Sequence, residues 1–174
     1  MLLVGLSRML RKILSKVLNF NPSFIEVYDN ALTLKECEVL ISLFEKFPNK
    51  KEATCYIDGK VENSRFDQKK CIEFNQDLFD TNPISNIVRK GVTSCMGDYK
   101  KKYSSLEYLS PWRVFPDYNF QKYETEDDGA KTWHTEHGGG LCSTRILAWM
   151  IYLNNAKSGT EFMHFPTMQA KAGR

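Results

Sequence analysis

The hydrophobic rhythm of this chain changes once, at Pro111, and that change limits the folds open to it. Before Pro111, most apolar residues recur at three- and four-residue spacing, the period of an amphipathic helix. After it, short stretches alternate between apolar and polar, the period of a half-buried strand. Helices and one hairpin therefore come first, and a run of strands follows. Such an order favours a mainly β core supported by helices, an α+β arrangement, over alternating α/β units. The chain has 174 residues, enough for one domain and a little more. Its 24 basic and 21 acidic side chains nearly cancel, which removes the general electrostatic case for nucleic acid.

The helical part has recognisable punctuation. Thr33 followed by Glu36 predicts a capping box, and Cys37, Leu40, Ile41 and Phe44 form the stripe of the helix behind it, ending near Phe47-Pro48. Pro83 opens a second helix carrying Ile84, Ile87, Val88, Val92, Cys95, Met96 and Tyr99. The lysines at 100–102 suit the negative end of that helix dipole and need no nucleic-acid partner. Residues 24–28 alternate like a strand, and Ile57-Asp58-Gly59-Lys60 reads as a hairpin. Beyond Pro111, residues 114–115, 119–123, 132–136 and 145–154 read as strands, a jelly roll being the natural way to assemble them.

Residues 2–18 repeat apolar positions from Leu2 to Leu18 at helical spacing, with Arg8, Arg11, Lys12 and Lys16 opposite and no acid among them. A membrane-surface helix, an organellar presequence and a partner-docking helix all fit this pattern. So does an amphipathic extension packed on the domain, or upstream sequence included by choice of start codon. A secretory signal does not fit, because the charges follow the apolar start. The organisation expected is thus a basic extension over 1–20 and a domain over 24–174. Five scattered cysteines without a CxxC pair make a poor disulfide framework and a poor zinc site, and read as reduced packing residues in a cytoplasm-like compartment. Residues 138–140 are three glycines with no following helix or Lys-Ser/Thr, so they form no phosphate-binding P-loop.

Chemistry concentrates in Trp133-His134-Thr135-Glu136-His137. On a strand, residues two apart share a face about 6.6 Å apart along the chain. His134 and Glu136 can therefore meet at one point, an imidazole and a carboxylate, two members of the 2-His-1-carboxylate set that holds Fe(II) and leaves positions open. His137 and Trp133 would point the other way. The HxE pair by itself also describes any surface histidine beside a surface glutamate.

Its surroundings are more specific. Phe120-Gln121-Lys122-Tyr123 lies upstream, an apolar run ending Tyr152-Leu153-Asn154 lies downstream, and Gly159-Thr160-Glu161-Phe162 follows. With these four motifs in this order, the chain resembles the prolyl 4-hydroxylase-like Fe(II)/2-oxoglutarate oxygenases, from about Phe24 onward. Residues 24–47 are similar to the opening strand and support helix of the short forms found in phage and bacterial genomes. The resemblance implies a double-stranded β-helix, or jelly roll, with support helices on the N-terminal side and the metal at its mouth. It implies Fe(II) held by His134 and Glu136, with 2-oxoglutarate and O2 as cosubstrates and ascorbate as a further reductant. Tyr152 would point into the barrel, on the face of Ala148 and Met150, and bond the distal carboxylate of 2-oxoglutarate. Tyr123 would stand near its metal-bound end. The reaction implied is hydroxylation of a peptide or protein, with a prolyl residue as the leading substrate, coupled to release of succinate and CO2. The compartment would be the cytoplasm, or a host's cytoplasm for a phage-encoded chain.

Two features depart from the family pattern. The acid is Glu136 where many members carry Asp. The chain also ends at Arg174, before the strand that carries the second histidine and before the Lys or Arg that pairs with the distal carboxylate, so the last strands of the barrel are expected to be missing. His164, on or past the G-T-x-F strand, and Arg174 stand where the family places neither group. The rival expectation is a non-catalytic jelly-roll binding module that keeps the scaffold without the distal histidine. A third is a membrane-associated protein whose basic helix is the working part.

Overall fold

The computed structural model describes residues 23–57, 60–63, 69–125, 128–137 and 143–174. The expected helix over 2–18, the glycines at 138–140, the turn at Asp58-Gly59 and Cys142 lie outside the described residues.

Helix α1 (Leu34–Lys46) begins where the capping box predicts. Thr33 Oγ1 accepts from the Glu36 amide at 3.2 Å, and Glu36 Oε2 accepts from the Thr33 amide at 2.8 Å. Helix α2 (Pro83–Lys102) has Pro83 in its first turn, and the Asn82 side chain accepts from the Ser85 amide at 2.9 Å. Lys90 of α2 ion-pairs with Glu36 at 2.8 Å and ties the two helices together. Lys90 first, then the Thr33 groups, hold the Glu36 carboxyl down at about 2. A short 3-10 turn follows (Ser104–Tyr108).

Nine strands are described. They are β1 (Lys51–Glu52), β2 (Thr54–Ile57), β3 (Lys60–Asn63), β4 (Lys69–Lys70), β5 (Ile72–Asp77), β6 (Asp117–Lys122), β7 (Gly129–Ala130), β8 (Gly159–Phe162) and β9 (Phe165–Gln169). The largest sheet has the order β1-β5-β6, and β2-β3, β4-β7 and β8-β9 form two-stranded pairs, all antiparallel. The molecule is therefore α+β. The expected jelly roll does not appear as such: among the described residues the strands form one three-stranded sheet and three pairs, instead of two larger packed sheets.

Residues 119–122 fall in β6, with Tyr123 just past its end, and Ile57 pairs with Lys60 as the hairpin requires. Residues 24–28, 114–115, 132–136 and 145–154 are not strands, because alternation alone does not supply a ladder partner. Side chains anchor residues 24–28 instead. The Phe24 carbonyl accepts from Tyr99 Oη at 2.7 Å, and Glu26 takes Tyr103 Oη at 2.6 Å and Lys102 at 2.7 Å. Strand β5, the main partner of β6, carries no alternation signal strong enough to announce it, with Glu73, Asn75 and Gln76 inside it.

The core lies between the sheet and the helices. Leu32, Cys37, Leu40 and Phe44 from around α1 meet Ile84, Val88 and Val92 of α2 and Phe74 and Phe120 of the sheet. Phe74 and Phe120 are cross-strand partners whose rings stack 5.1 Å apart, and Phe47 stacks on Phe74 at 3.9 Å. Each buried ring contributes about 1.5–3 kcal/mol by leaving water. Two glycines let the turn at residue 32 sit against this core. A Cβ on Gly91 of α2 would come within 2.9 Å of Leu32 Cδ2, and one on Gly173 would meet the Leu32 carbonyl oxygen at 2.2 Å. Gly173 also has φ +77°, a conformation that side-chain-bearing residues rarely adopt.

Although 145–151 is not a strand, its two faces differ, and the packed face is the one opposite to the face of Ala148 and Met150 expected to point inward. Leu147, Trp149 and Ile151 are partly buried against the core, while Ile146 and Met150 are half exposed. Cys37 and Cys71 are buried free thiols and Cys95 is a partly buried one, as a packing role requires. Burial pushes the Cys71 thiol up to about 11. No helix among the described residues is long and apolar enough to cross a membrane.

Candidate functional site

His134 and Glu136 meet, though not on a strand. The irregular backbone at 132–136 turns the imidazole so that Nδ1 lies 3.0 Å from the Thr132 carbonyl oxygen. A carbonyl only accepts, so Nδ1 carries the proton and donates. In the neutral ring this leaves the Nε2 lone pair free. Nε2 lies 3.8 Å from Glu136 Oε1. Metal-binding imidazoles are commonly held this way, with one nitrogen spent on a backbone carbonyl and the other free.

Glu136 is held from the other side. Arg145 Nη1 pairs with Glu136 Oε2 at 3.1 Å, and the Arg145 guanidinium lies 6.0 Å from the Phe115 ring centre. One carboxylate oxygen is thus occupied by arginine and the other faces the histidine. Both side chains of the pair are more than half exposed, and the Arg145–Glu136 ion pair, itself exposed, contributes little to stability. Arg145 is the residue that orients the acid. Its signal in the sequence is weak, an arginine opening an apolar run. Trp133 is 59% exposed. The hydroxyl of Thr135 donates to the His137 carbonyl at 2.8 Å.

The donor set fits a divalent ion of intermediate hardness such as Fe(II), one imidazole and one carboxylate, but only as two ligands of three. Among the described residues no group of three His, Cys, Asp or Glu side chains converges. His164 sits exposed in the turn between β8 and β9.

Tyr152 is fixed by backbone and side chain together. Its amide donates to the Arg174 carbonyl and its carbonyl accepts from the Gly173 amide, both at 2.8 Å. Its hydroxyl is hydrogen-bonded to Thr160 Oγ1 of β8, and Thr160 Oγ1 lies 2.8 Å from Met150 Sδ. The G-T-x-F threonine and the Y-L-N tyrosine, far apart in sequence motif, form one polar pair beside the exposed Met150 face. Arg174 is committed elsewhere: its guanidinium reaches both carboxylate oxygens of Asp29, at 2.8 and 3.3 Å, with Lys171 at 3.5 Å from the same acid.

Tyr123 follows directly on β6. Its hydroxyl donates to Gln121 Oε1 at 2.9 Å, and a Cβ added to Gly129 of β7 would lie 3.8 Å from the ring. Burial first, then the charges of Cys71, Glu73 and Tyr152, hold its phenol above the ordinary tyrosine range. No hydrogen bond or ion pair among the described residues joins either tyrosine to the His134–Glu136 pair. A separate pocket of about 160 Å³ opens beside Cys71, between β1, β4 and the side chains of Lys122, Glu124 and Asp128, and is lined mostly by charged residues. It is smaller than the ~300 Å³ usual for a small-molecule site.

No family model matches this chain, and no curated protein or solved structure matches it either.

Proposed function

We propose that the chain is a prolyl 4-hydroxylase-like Fe(II)/2-oxoglutarate oxygenase domain, built on part of a double-stranded β-helix, that hydroxylates a peptide or protein. The observation that carries this reading is the His134–Glu136 pair, with Nδ1 of the histidine spent on Thr132 and Nε2 facing the acid at 3.8 Å. His134 Nε2 and a Glu136 oxygen would hold Fe(II). When bound, the metal with 2-oxoglutarate and O2 supplies the oxidising chemistry, with succinate and CO2 as products and ascorbate as a reductant that keeps the metal ferrous.

The chain's own residues do the positioning. Thr132 keeps the imidazole in the tautomer a metal needs. Arg145 holds one oxygen of Glu136 and compensates its charge, so that an approaching cation meets an already oriented carboxylate. The Tyr152–Thr160 pair offers a hydroxyl to a distal carboxylate, and Tyr123 would stand near the metal-bound end of the cosubstrate. The half-exposed Met150 and Ile146 face is the side on which a barrel interior would form. Cytoplasmic localisation and a peptidyl substrate belong to the same proposal.

One observation favours the rival, a non-catalytic binding module: the pair lacks a third protein donor among the described residues. The test is anaerobic binding of Fe(II) and 2-oxoglutarate, followed by succinate release in air. The oxygenase reading expects both, with His134→Ala abolishing turnover. No binding of either ligand by the wild-type protein leaves the module.

A further inference from the structure

The sheet β1-β5-β6 has a second face, opposite the stacked phenylalanines, and it is polar. Glu73 and Gln121 are cross-strand partners on it, directly beside the Phe74–Phe120 pair. Glu73 is fully buried, with no measurable exposure. Its Oε2 accepts from Gln121 Nε2 at 3.0 Å and from Lys69 Nζ at 3.3 Å, and Cys71 Sγ lies at 3.8 Å. Gln121 Oε1 in turn accepts from the Tyr123 hydroxyl at 2.9 Å.

The chemistry of these groups allows one direction only. A carboxylate accepts and does not donate, so the nitrogen of the Gln121 amide must face Glu73. The amide oxygen then faces Tyr123, and the phenol proton is committed to it. An amide free on both sides could turn over; this one is held at its nitrogen end by a buried acid. A buried carboxylate is costly unless fully bonded, and Lys69 and Gln121 satisfy it here.

We propose that Glu73 is a positioning residue for the cosubstrate pocket: through Gln121 it anchors the Tyr123 hydroxyl and so fixes where the ring stands. The inference rests on the oxygenase reading for the identity of the ligand, but not for the relay itself. In this arrangement Tyr123 meets a ligand with its ring, because its proton is already spent. Ordering the ring in advance lowers the cost of binding.

The test uses the full chain as wild type, Glu73→Gln, Gln121→Leu, Tyr123→Phe and the Glu73→Gln/Tyr123→Phe double variant. Gln121 is exposed, so its leucine variant keeps the relay testable if Glu73→Gln does not fold. The first readout needs no ligand: the Gln121 side-chain amide resonances in ¹⁵N-labelled protein. The relay predicts two widely separated amide protons in the wild type, collapsing toward free-glutamine values in Glu73→Gln. Free-glutamine values in the wild type would overturn it. The second readout is 2-oxoglutarate affinity by calorimetry, with Mn(II) as the metal. Glu73→Gln, Gln121→Leu and Tyr123→Phe should each weaken binding about fivefold, the worth of one net hydrogen bond. The double variant should be no weaker than Tyr123→Phe alone. A loss in the double variant equal to the product of the two single losses would show that Glu73 acts through general structure and would overturn the proposal. If the wild type binds no 2-oxoglutarate, the oxygenase reading fails, while the amide resonances still decide the relay.

Discussion

The helix-backed sheet and the segment from residue 132 to 154 are built from similar side chains and behave differently. In the sheet, β5 and β6 pair over six residues, and the Phe74, Phe120 and Phe47 rings stack beneath them. In the other segment, Trp149 and Ile151 pack on the same core and Leu147 on a smaller cluster of Tyr99, Tyr103 and Leu106, yet residues 145–151 have no strand beside them. The first region owns both backbone pairing and apolar burial. The second has burial on one side only, and it carries His134, Glu136, Arg145 and Tyr152. Stability resides in one and candidate chemistry in the other, the usual division between scaffold and functional loop.

The strongest way to break this comparison is a core truncation. Phe74→Ala should cost about 3–5 kcal/mol, read as a large drop in the thermal midpoint. His134→Ala should move the same midpoint by no more than about 0.5 kcal/mol, because the side chain is mostly exposed. Equal effects at the two positions would mean that the division is false. Next in size is Gly173→Ala. The added methyl would collide with the Leu32 carbonyl in a backbone conformation that alanine disfavours, so a loss of about 1–3 kcal/mol is expected. A neutral result would show that residue 173 does not sit against the turn at Leu32.

Thr33→Ala removes half of the capping box and should cost about 1 kcal/mol in chemical denaturation. The pH dependence of the same region sharpens this. Glu36 is held at about 2 from an ordinary 4.5, so the folded state binds its proton less readily than the unfolded chain. The stabilisation it confers is complete above about 4.5 and is lost as the pH falls toward 2. Glu36→Gln should flatten that part of the stability profile, and an unchanged acid limb would contradict the Lys90 and Thr33 contacts. The smallest effect expected is in hydrogen exchange. The paired β5 and β6 amides should be protected, while amides 146–151 exchange quickly and Tyr152, bonded to Arg174, stands apart from them.

Much of the scaffold was legible because its signals are local. Thr33 and Glu36 cap the start of α1, Pro83 stands in the first turn of α2 where its missing N–H costs nothing, and the lysines at 100–102 lie in the last turn of α2. The strands were less legible because a strand is defined by a neighbour. Residues 145–154 alternate well and lack a ladder; β5 alternates poorly, with a buried Glu73, and is central. At the candidate site, His134 and Glu136 lie 3.8 Å apart on an irregular backbone, so the strand geometry that suggested the pair is not what brings them together. Arg145 and Glu73 were beyond the same reasoning. Each acts through a contact with a distant or differently placed residue, Glu136 in one case and Gln121 in the other, and neither stands in a motif.

The central claim is that His134 and Glu136 form a metal-binding pair that works with 2-oxoglutarate. Calorimetric titration of Fe(II) under anaerobic conditions, with and without 2-oxoglutarate, tests it most directly. The account predicts that wild-type protein binds Fe(II) more tightly when 2-oxoglutarate is present, and that His134→Ala and Glu136→Ala each remove this binding while remaining folded. Fe(II) binding that is identical in the wild type and both variants, or indifferent to 2-oxoglutarate, would contradict it.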